Sequence, residues 1–284
     1  MALKKPRPYK PLGELTRGKT ARNRLRRVDI FTLIYAGDLI RRTDGPFARA
    51  LYVDVGYGAE AFTTLESAGH FRAQNPNLPV LGIEIAPERV AAALPYADEQ
   101  THFRLGGFNL PLLPGETVRL IRAFNVLRQY EENQVDESQH TMGSYLLPGG
   151  LLIEGTSDPL GRIWVANVLR RSADNGLITE GLLFSTNFKW GFEPGLFQPV
   201  LPKNFIHRMQ PGELIYEFME NWKEASRETM ALRTLGLRQW FTASACALAA
   251  RGYRLDLRRQ LLRKGFLLWK RSADTPAIPP ETHS

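Results

Sequence analysis

Asp54, Gly56, Gly58 and Glu84 are the residues whose types and spacing suggest chemistry most directly. Ala50-Leu-Tyr-Val-Asp-Val-Gly-Tyr-Gly-Ala-Glu-Ala61 is a β-branched and aromatic run that ends in two glycines one residue apart. Val80-Leu-Gly-Ile-Glu84 is a second apolar run, stopping at an acid. Strand, glycine turn, helix, strand and acid in that order build a nucleotide-type pocket at the carboxyl edge of a parallel sheet. Gly56 and Gly58, without a Cβ, let the backbone turn sharply and approach a ligand closely. Glu84, at the tip of the next strand, is placed to accept hydrogen bonds from a ribose diol. Gly56-Tyr-Gly58-Ala-Glu-Ala61 also fits the G-x-G-x-x-A dinucleotide fingerprint, so NAD is one ligand the pattern allows.

Asp54, two residues before Gly56, points to a second ligand. Asp54-x-Gly56-x-Gly58 resembles the first motif of class I S-adenosylmethionine-dependent methyltransferases, and the resemblance continues downstream over about a hundred residues. Glu84 stands where that family has its ribose-binding acid. Phe103-Arg-Leu-Gly-Gly-Phe-Asn-Leu-Pro111 looks like the third-strand segment that frames the adenine, Val118 to Phe124 reads as the fourth strand, and Leu146-Leu-Pro-Gly-Gly-Leu-Leu-Ile-Glu154 resembles the junction into the fifth. The chain departs from the pattern at Glu60, where the family has a third glycine, and at Gly107, where it often has an aspartate. An adenine contact would then rest on backbone groups and Phe108.

The resemblance implies an α/β fold: a Rossmann-like, seven-stranded, mostly parallel sheet with helices on both faces. It implies S-adenosyl-L-methionine as cofactor, held by Asp54, Gly56, Tyr57, Gly58, Glu84, Ile85, Gly107, Phe108 and Asn125. The reaction would be direct transfer of the sulfonium methyl to an acceptor, in which alignment is the protein's main task. Asn125, Arg128 and Tyr130, after the fourth strand, are the catalytic candidates. Asn125-Val-Leu-Arg is also similar to a stretch of the chemotaxis-receptor glutamate methyltransferases, which places Asn125 and Arg128 at the site. Signatures for particular acceptors, such as an Asn-Pro-Pro-Tyr loop, are missing. Two other readings stay open: a cofactor-binding or nucleic-acid-binding protein that has lost catalysis, suggested by Glu60 and Gly107, and an NAD-dependent oxidoreductase.

Charge is segregated along the chain. Residues 1–27 carry ten Lys/Arg against Glu14 alone, so this segment is +9 while the whole 284-residue chain is +8. Such an arm either meets phosphate, with RNA or another polyanion as partner, or is a solubilising, partly disordered terminus; the first reading puts RNA slightly ahead of a small molecule or protein as acceptor. Within it, Gly13-Glu-Leu-Thr-Arg-Gly-Lys-Thr20 satisfies the P-loop pattern letter for letter. The mechanism needs a preceding buried strand, and Lys4 to Pro11 supplies prolines and positive charges instead, so a nucleotide triphosphatase is rejected.

Composition, at 43% hydrophobic and 23% charged residues, is that of a globular protein. The longest small-apolar stretch, Ala243 to Ala250, falls far short of the ~20 residues that span a bilayer. The start of the chain lacks the apolar region of a secretory signal, and a reducing cytoplasm is the expected setting. Cys246, the only cysteine, excludes internal disulfides and reads as a small core residue. His70, His102, His140 and His207 lack metal-ligand spacing, so no metal is expected.

The elements that must position these residues follow from periodicity and punctuation. Helices are expected over Arg24–Arg41, Glu60–Gly69, from Pro87, over Asp136–Leu146, Arg162–Arg171 and Pro211–Arg233. Gly181–Ser185 reads as a short strand, and Tyr253–Arg259 with Gly265–Arg271 as a closing hairpin. Three regions result: a basic arm and helix over 1–45, a methyltransferase-like domain over 46–271, and a disordered tail over 272–284. An insertion at about 185–238 contains Phe188, Trp190 and Phe192, which either form a lid over the acceptor or anchor their loop by burial.

Overall fold

The computed structural model describes residues 9–270, so the expected disordered tail lies outside the described residues. The arm leads into α1 (Arg26–Tyr35) and α2 (Gly37–Arg41), one expected helix broken at Ala36. The chain then alternates strand and helix: β1 (Leu51–Val55), α3 (Phe62–Arg72), β2 (Val80–Glu84), α4 (Pro87–Ala93), β3 (Thr101–Leu105), β4 (Val118–Phe124), α5 (Glu132–Gly143) and β5 (Leu146–Ser157). Pro87 opens α4, in the position where its missing N–H costs nothing. Glu131 and Gln134 form a reciprocal capping box at the start of α5. Two long strands follow, β6 (Ile163–Arg171) and β7 (Leu177–Thr186). A helical stretch comes next, with α6 (Lys203–Ile206), α7 (Leu214–Glu228) and α8 (Leu237–Ala250), before α9 (Arg259–Leu262) and β8 (Phe266–Lys270), the last of the described elements.

The eight strands among the described residues form one sheet in the order β3-β2-β1-β4-β5-β6-β7-β8. From β3 to β5 every pairing is parallel. From β5 to β8 every pairing is antiparallel. The parallel half is mostly what the sequence predicts. Among the described residues the sheet nevertheless has eight strands rather than seven.

Residues 163–171, expected within a helix, form β6 instead. In Ile163-Trp-Val-Ala-Asn-Val-Leu169, Trp164, Ala166 and Val168 enter the core under α1 and α2, while Ile163 and Val165 enter a second core under α7 and α8. Both faces are covered, so the apolar residues run on without the alternation that marks a half-exposed strand. The closing hairpin is also corrected: residues 253–259 make only an isolated bridge, Leu255 to Trp269, and α9 lies between it and β8. Cys246 is exposed rather than buried, because α8 turns Trp240, Phe241, Ser244, Ala245 and Leu248 inward and leaves position 246 off that face.

One face of the sheet carries α1, α2 and α3, with Val28, Phe31, Ile40 and Phe71 packed on Tyr52, Leu120 and Trp164. On the other face, Val135 and Met142 of α5 cover Val53, Ile121 and Leu152. The late helices cover the antiparallel half through Phe184, Phe218, Trp222 and Phe241. The amino-terminal edge is fixed by Arg119. Its buried guanidinium donates to the carbonyls of Ala50 (2.7 Å), Leu39 (2.9 Å), Ile40 (3.2 Å) and Arg42 (2.8 Å), and to that of Phe47. The carboxyl edge, by contrast, is left for loops and for the arm.

Candidate cofactor and acceptor site

β1 has β2 on one side and β4 on the other, so the connections leaving it diverge and open a crevice at the strands' carboxyl ends. Gly56 (φ +72°) and Gly58 (φ +93°) make the turn there, in a backbone region that favours glycine. A Cβ on Gly56 would come within 2.7 Å of a Val126 methyl, so the turn also needs glycine for space. Opposite, the Glu84 carboxylate is buried and accepts the Gly58 N–H at 2.9 Å and its neighbour's, Ile85, at 3.0 Å. Arg89 approaches the same carboxylate at 3.4 Å. A carboxylate has about four acceptor positions, so room remains for a hydroxyl. Tyr57 packs edge-on against Phe103, and burial, then the Glu84 charge, holds its hydroxyl well above the usual phenol range.

Asp54 has a different commitment. Its oxygens accept two hydrogen bonds from Arg122, at 3.0 and 2.8 Å, and one each from Thr63 (3.2 Å) and Thr64 (2.8 Å). Arg122 also pairs with Asp29 of α1 at 2.7 Å, and Asp29 in turn meets His70 Nδ1 at 2.8 Å. Burial lowers the Arg122 pKa, but Asp54, Tyr52 and Asp29 raise it by more, so its charge is secured. For His70 the hydrogen bond to Asp29 raises the pKa against desolvation. Asp54 thus lines the crevice with its carboxylate held from behind. Asp54 carried a sequence signal through its motif, but nothing in the sequence joined it to Arg122, 68 residues away, or Arg122 to Asp29, 93 residues away.

Asn125 sits just past β4 at φ +61°, a left-handed conformation that asparagine tolerates better than most residues. Its side-chain amide donates to Ser157 Oγ at 3.1 Å and accepts the Ser157 N–H at 2.9 Å, tying the ends of β4 and β5 together. Arg128 is exposed and donates to the Pro199 carbonyl at 3.2 Å. Asn125, Arg128, Asp54, Gly56, Tyr57 and Gly58 all line one cavity of about 790 Å³. Ser157, Asp158 and the arm residues Thr16 to Thr20 also line it; from sequence the arm was only a polyanion-binding segment, and Ser157 and Asp158 were not named. Arg17, Lys19, Arg24 and Arg128 give its wall four cations against the carboxylates of Asp54 and Asp158. Burial lowers the Arg24 pKa, partly offset by Asp158.

Glu84, Ile85, Gly107, Phe108 and Tyr130 are brought together separately, around a void of about 20 Å³. Gly56 borders both spaces. The smaller one is nearly filled by the arm, which crosses it at Leu12, Gly13, Glu14 and Thr16. Leu12 O accepts the Phe108 N–H at 2.8 Å, and the Glu14 N–H donates to the Tyr130 hydroxyl. A Cβ on Gly107 would overlap the Leu12 carbonyl. The P-loop-like run Gly13–Thr20 is therefore coil with no strand before it among the described residues, and the next helix starts only at Arg26. Phe188 and Phe192 are buried among Trp222, Trp240 and Phe241, so they anchor their loop. Trp190 is exposed beneath Arg162 and does not line the cavity.

No protein-family model and no curated protein matches the chain. Several solved structures are similar to parts of it. Human N-acetylserotonin methyltransferase in complex with SAM is 20% identical over 47% of this chain and 36% of that one, with a TM-score of 0.31. The magnesium protoporphyrin IX methyltransferase of Synechocystis PCC 6803, with bound SAH, is 18% identical over 47% and 54%, at a TM-score of 0.34. A protein described as a pericyclic reaction enzyme is 18% identical over 38% and 27%, at 0.31. The chain spans 27% to 54% of the length of these proteins. What the strand order, the glycine turn and the acid at the tip of β2 establish is a Rossmann-like parallel half, of the kind the resemblance to class I methyltransferases implies, joined to an antiparallel half.

Proposed function

We propose that the chain is an S-adenosylmethionine-dependent methyltransferase. The observation that carries this reading is the Glu84 carboxylate held against the Gly58 amide at the sheet's switch point, beside a cavity of about 790 Å³. That volume lies within the usual range of small-molecule sites. The residues fit the cofactor: Glu84 keeps an acceptor position for ribose hydroxyls, Ile85, Phe108 and the Gly107 backbone frame a base subsite, and Tyr57 and the Gly56–Gly58 turn line the way to the larger cavity. Bound there, S-adenosylmethionine supplies an already activated methyl group. The chain's own work is to orient the acceptor and exclude water. Asn125, locked to Ser157, fixes the wall between β4 and β5, and Arg128 lines the acceptor side. Tyr130, a catalytic candidate from sequence, faces the arm through its hydroxyl, which suits a positioning role.

The acceptor we read as an anion, on the strength of Arg17, Lys19, Arg24 and Arg128 around the cavity. A nucleotide of RNA and a free anionic metabolite share that chemistry. The cytoplasm is the proposed setting; among the described residues no helix is long and apolar enough to cross a membrane. A second reading, a binding protein without turnover, is favoured by the arm in the base subsite and by the commitment of Asp54 to Arg122.

Calorimetric titration with S-adenosylhomocysteine and, separately, NAD tests the cofactor. Micromolar binding of the former alone is the expected result, weakened about tenfold or more in Glu84→Ala by loss of its hydrogen bonds. Binding of NAD alone would overturn it. Transfer of a tritiated methyl to cellular RNA or to small anionic metabolites then identifies the acceptor, and binding without transfer to any fraction supports the second reading.

A further inference from the structure

We propose that residues 9–20 are a gate on the cofactor site: their backbone fills the base subsite, and the cofactor binds a state in which this strap has lifted. The inference rests on the proposed cofactor reading and concerns how that site is controlled.

The strap is seated like a ligand. Phe108 donates its N–H to the Leu12 carbonyl at 2.8 Å, in the position where a base would meet the backbone of this segment. Asn109 holds both sides of the same turn, accepting the Leu12 N–H at 2.5 Å and donating to Lys10 O at 2.8 Å, while the Tyr9 hydroxyl bonds to the Asn109 carbonyl. Farther along, Arg89 donates to Thr16 O at 2.9 Å and the Ala59 N–H to Gly18 O at 2.8 Å. The remaining void of about 20 Å³ holds roughly one water molecule, and a purine cannot share it with the strap. Gly107 now has a physical reason. Any side chain there would strike the Leu12 carbonyl, so the departure from the family's aspartate makes room for the strap.

The same geometry makes the strap releasable. Leu12 is 50% exposed and Leu15 59%, so little apolar surface is buried in seating it. What holds it is a set of polar bonds, each worth only about 0.5–1.5 kcal/mol net because water replaces them on release. The root stays fixed: the Asn23 N–H donates to both Glu66 oxygens, at 2.8 and 3.0 Å. Gly18, at φ +67°, gives the chain a pivot before that anchor. Lifting the strap also removes Thr16 O from Arg89, which is already within 3.4 Å of Glu84.

A gate of this kind lowers apparent affinity by the fraction of molecules in the open state. S-adenosylhomocysteine is titrated into the full chain, a chain lacking residues 1–16, and full-length Gly107→Ala and Asn109→Ala, with hydrogen exchange of residues 9–20 followed in the three full-length proteins. If about one molecule in ten is open, the truncated chain binds about tenfold tighter. Gly107→Ala and Asn109→Ala shift in the same direction, and they serve as whole-chain tests should truncation impair folding. The ligand is expected to speed exchange at Leu12 and Glu14. Equal affinity in all four proteins, with unchanged exchange over 9–20, overturns the gate and leaves the cofactor reading intact. Slower exchange over 9–20 with ligand also overturns it, since the strap would then close on the ligand. No binding by any of the four overturns the cofactor reading itself.

Discussion

Arg122 and Glu154 are two buried charged residues on adjacent strands with opposite electrostatic circumstances. Arg122 has Asp54 and Asp29 on either side, and truncating Asp54 leaves the buried guanidinium with Asp29 alone and two of its hydrogen bonds unmade. Asp54→Ala should therefore cost about 3–5 kcal/mol, measured by denaturant unfolding, whatever it does to ligand binding. Glu154 has only the amides of Gln139 (3.1 Å) and Asn167 (2.8 Å), and burial raises its pKa from 4.5 to about 7, against the pull of those bonds. The folded state thus holds a proton that the unfolded state releases earlier. This contribution to stability is complete below pH 4.5 and is lost as pH rises through about 7. Glu154→Gln keeps both hydrogen bonds and removes the titration. Its Tm should exceed that of the parent above pH 7 and converge toward it near pH 5, with a stability difference on the order of 3 kcal/mol between those limits. At this scale the glycines and Glu84 were legible in the sequence, because each answers a local demand of the turn or the strand tip. The partners of Asp54 were not, because they come from α3 and β4.

Among the elements, the parallel half could be read from sequence because each strand is bounded by its own punctuation: Gly56 after β1, Pro87 after β2, Asn125 after β4. β6 could not. Its residues feed two cores at once, and a continuous apolar run of that length reads as easily as a helix. The second of those cores is the later one in sequence, and Trp222 is its centre. The ring is fully buried, stacks on Phe197 at 5.2 Å between centroids, meets Phe184 edge-on at 5.3 Å, and its indole N–H donates to Ser244 Oγ at 3.2 Å. Trp222→Ala should lower stability by about 3–5 kcal/mol through the cavity it leaves. Because α7 does not line either space at the carboxyl edge, S-adenosylhomocysteine affinity at a temperature where the variant is folded should stay within about twofold of the parent; a larger change would show that the late helices shape the site.

At the scale of the whole molecule, the sequence shows that charge is concentrated at the amino terminus but not where the arm goes. Composition records ten cations in residues 1–27. It carries no sign that Arg24 reaches Ser157 Oγ at 3.1 Å, that Arg27 reaches Ser185 Oγ at 3.1 Å, or that Leu12 lies on Phe108. These contacts join segments about a hundred residues or more apart, and a sequence with three prolines before Gly13 has no periodicity from which to read a docking face. The consequence of that docking is one of effective concentration. Plug and socket belong to one chain, with Asn23 anchored only a few residues from the plug, so the plug meets its socket at a local concentration on the order of millimolar. Diluting the protein cannot relieve the competition. A free peptide carrying residues 9–20, added to the truncated chain, must itself approach millimolar levels before it competes with ligand as the tethered strap does.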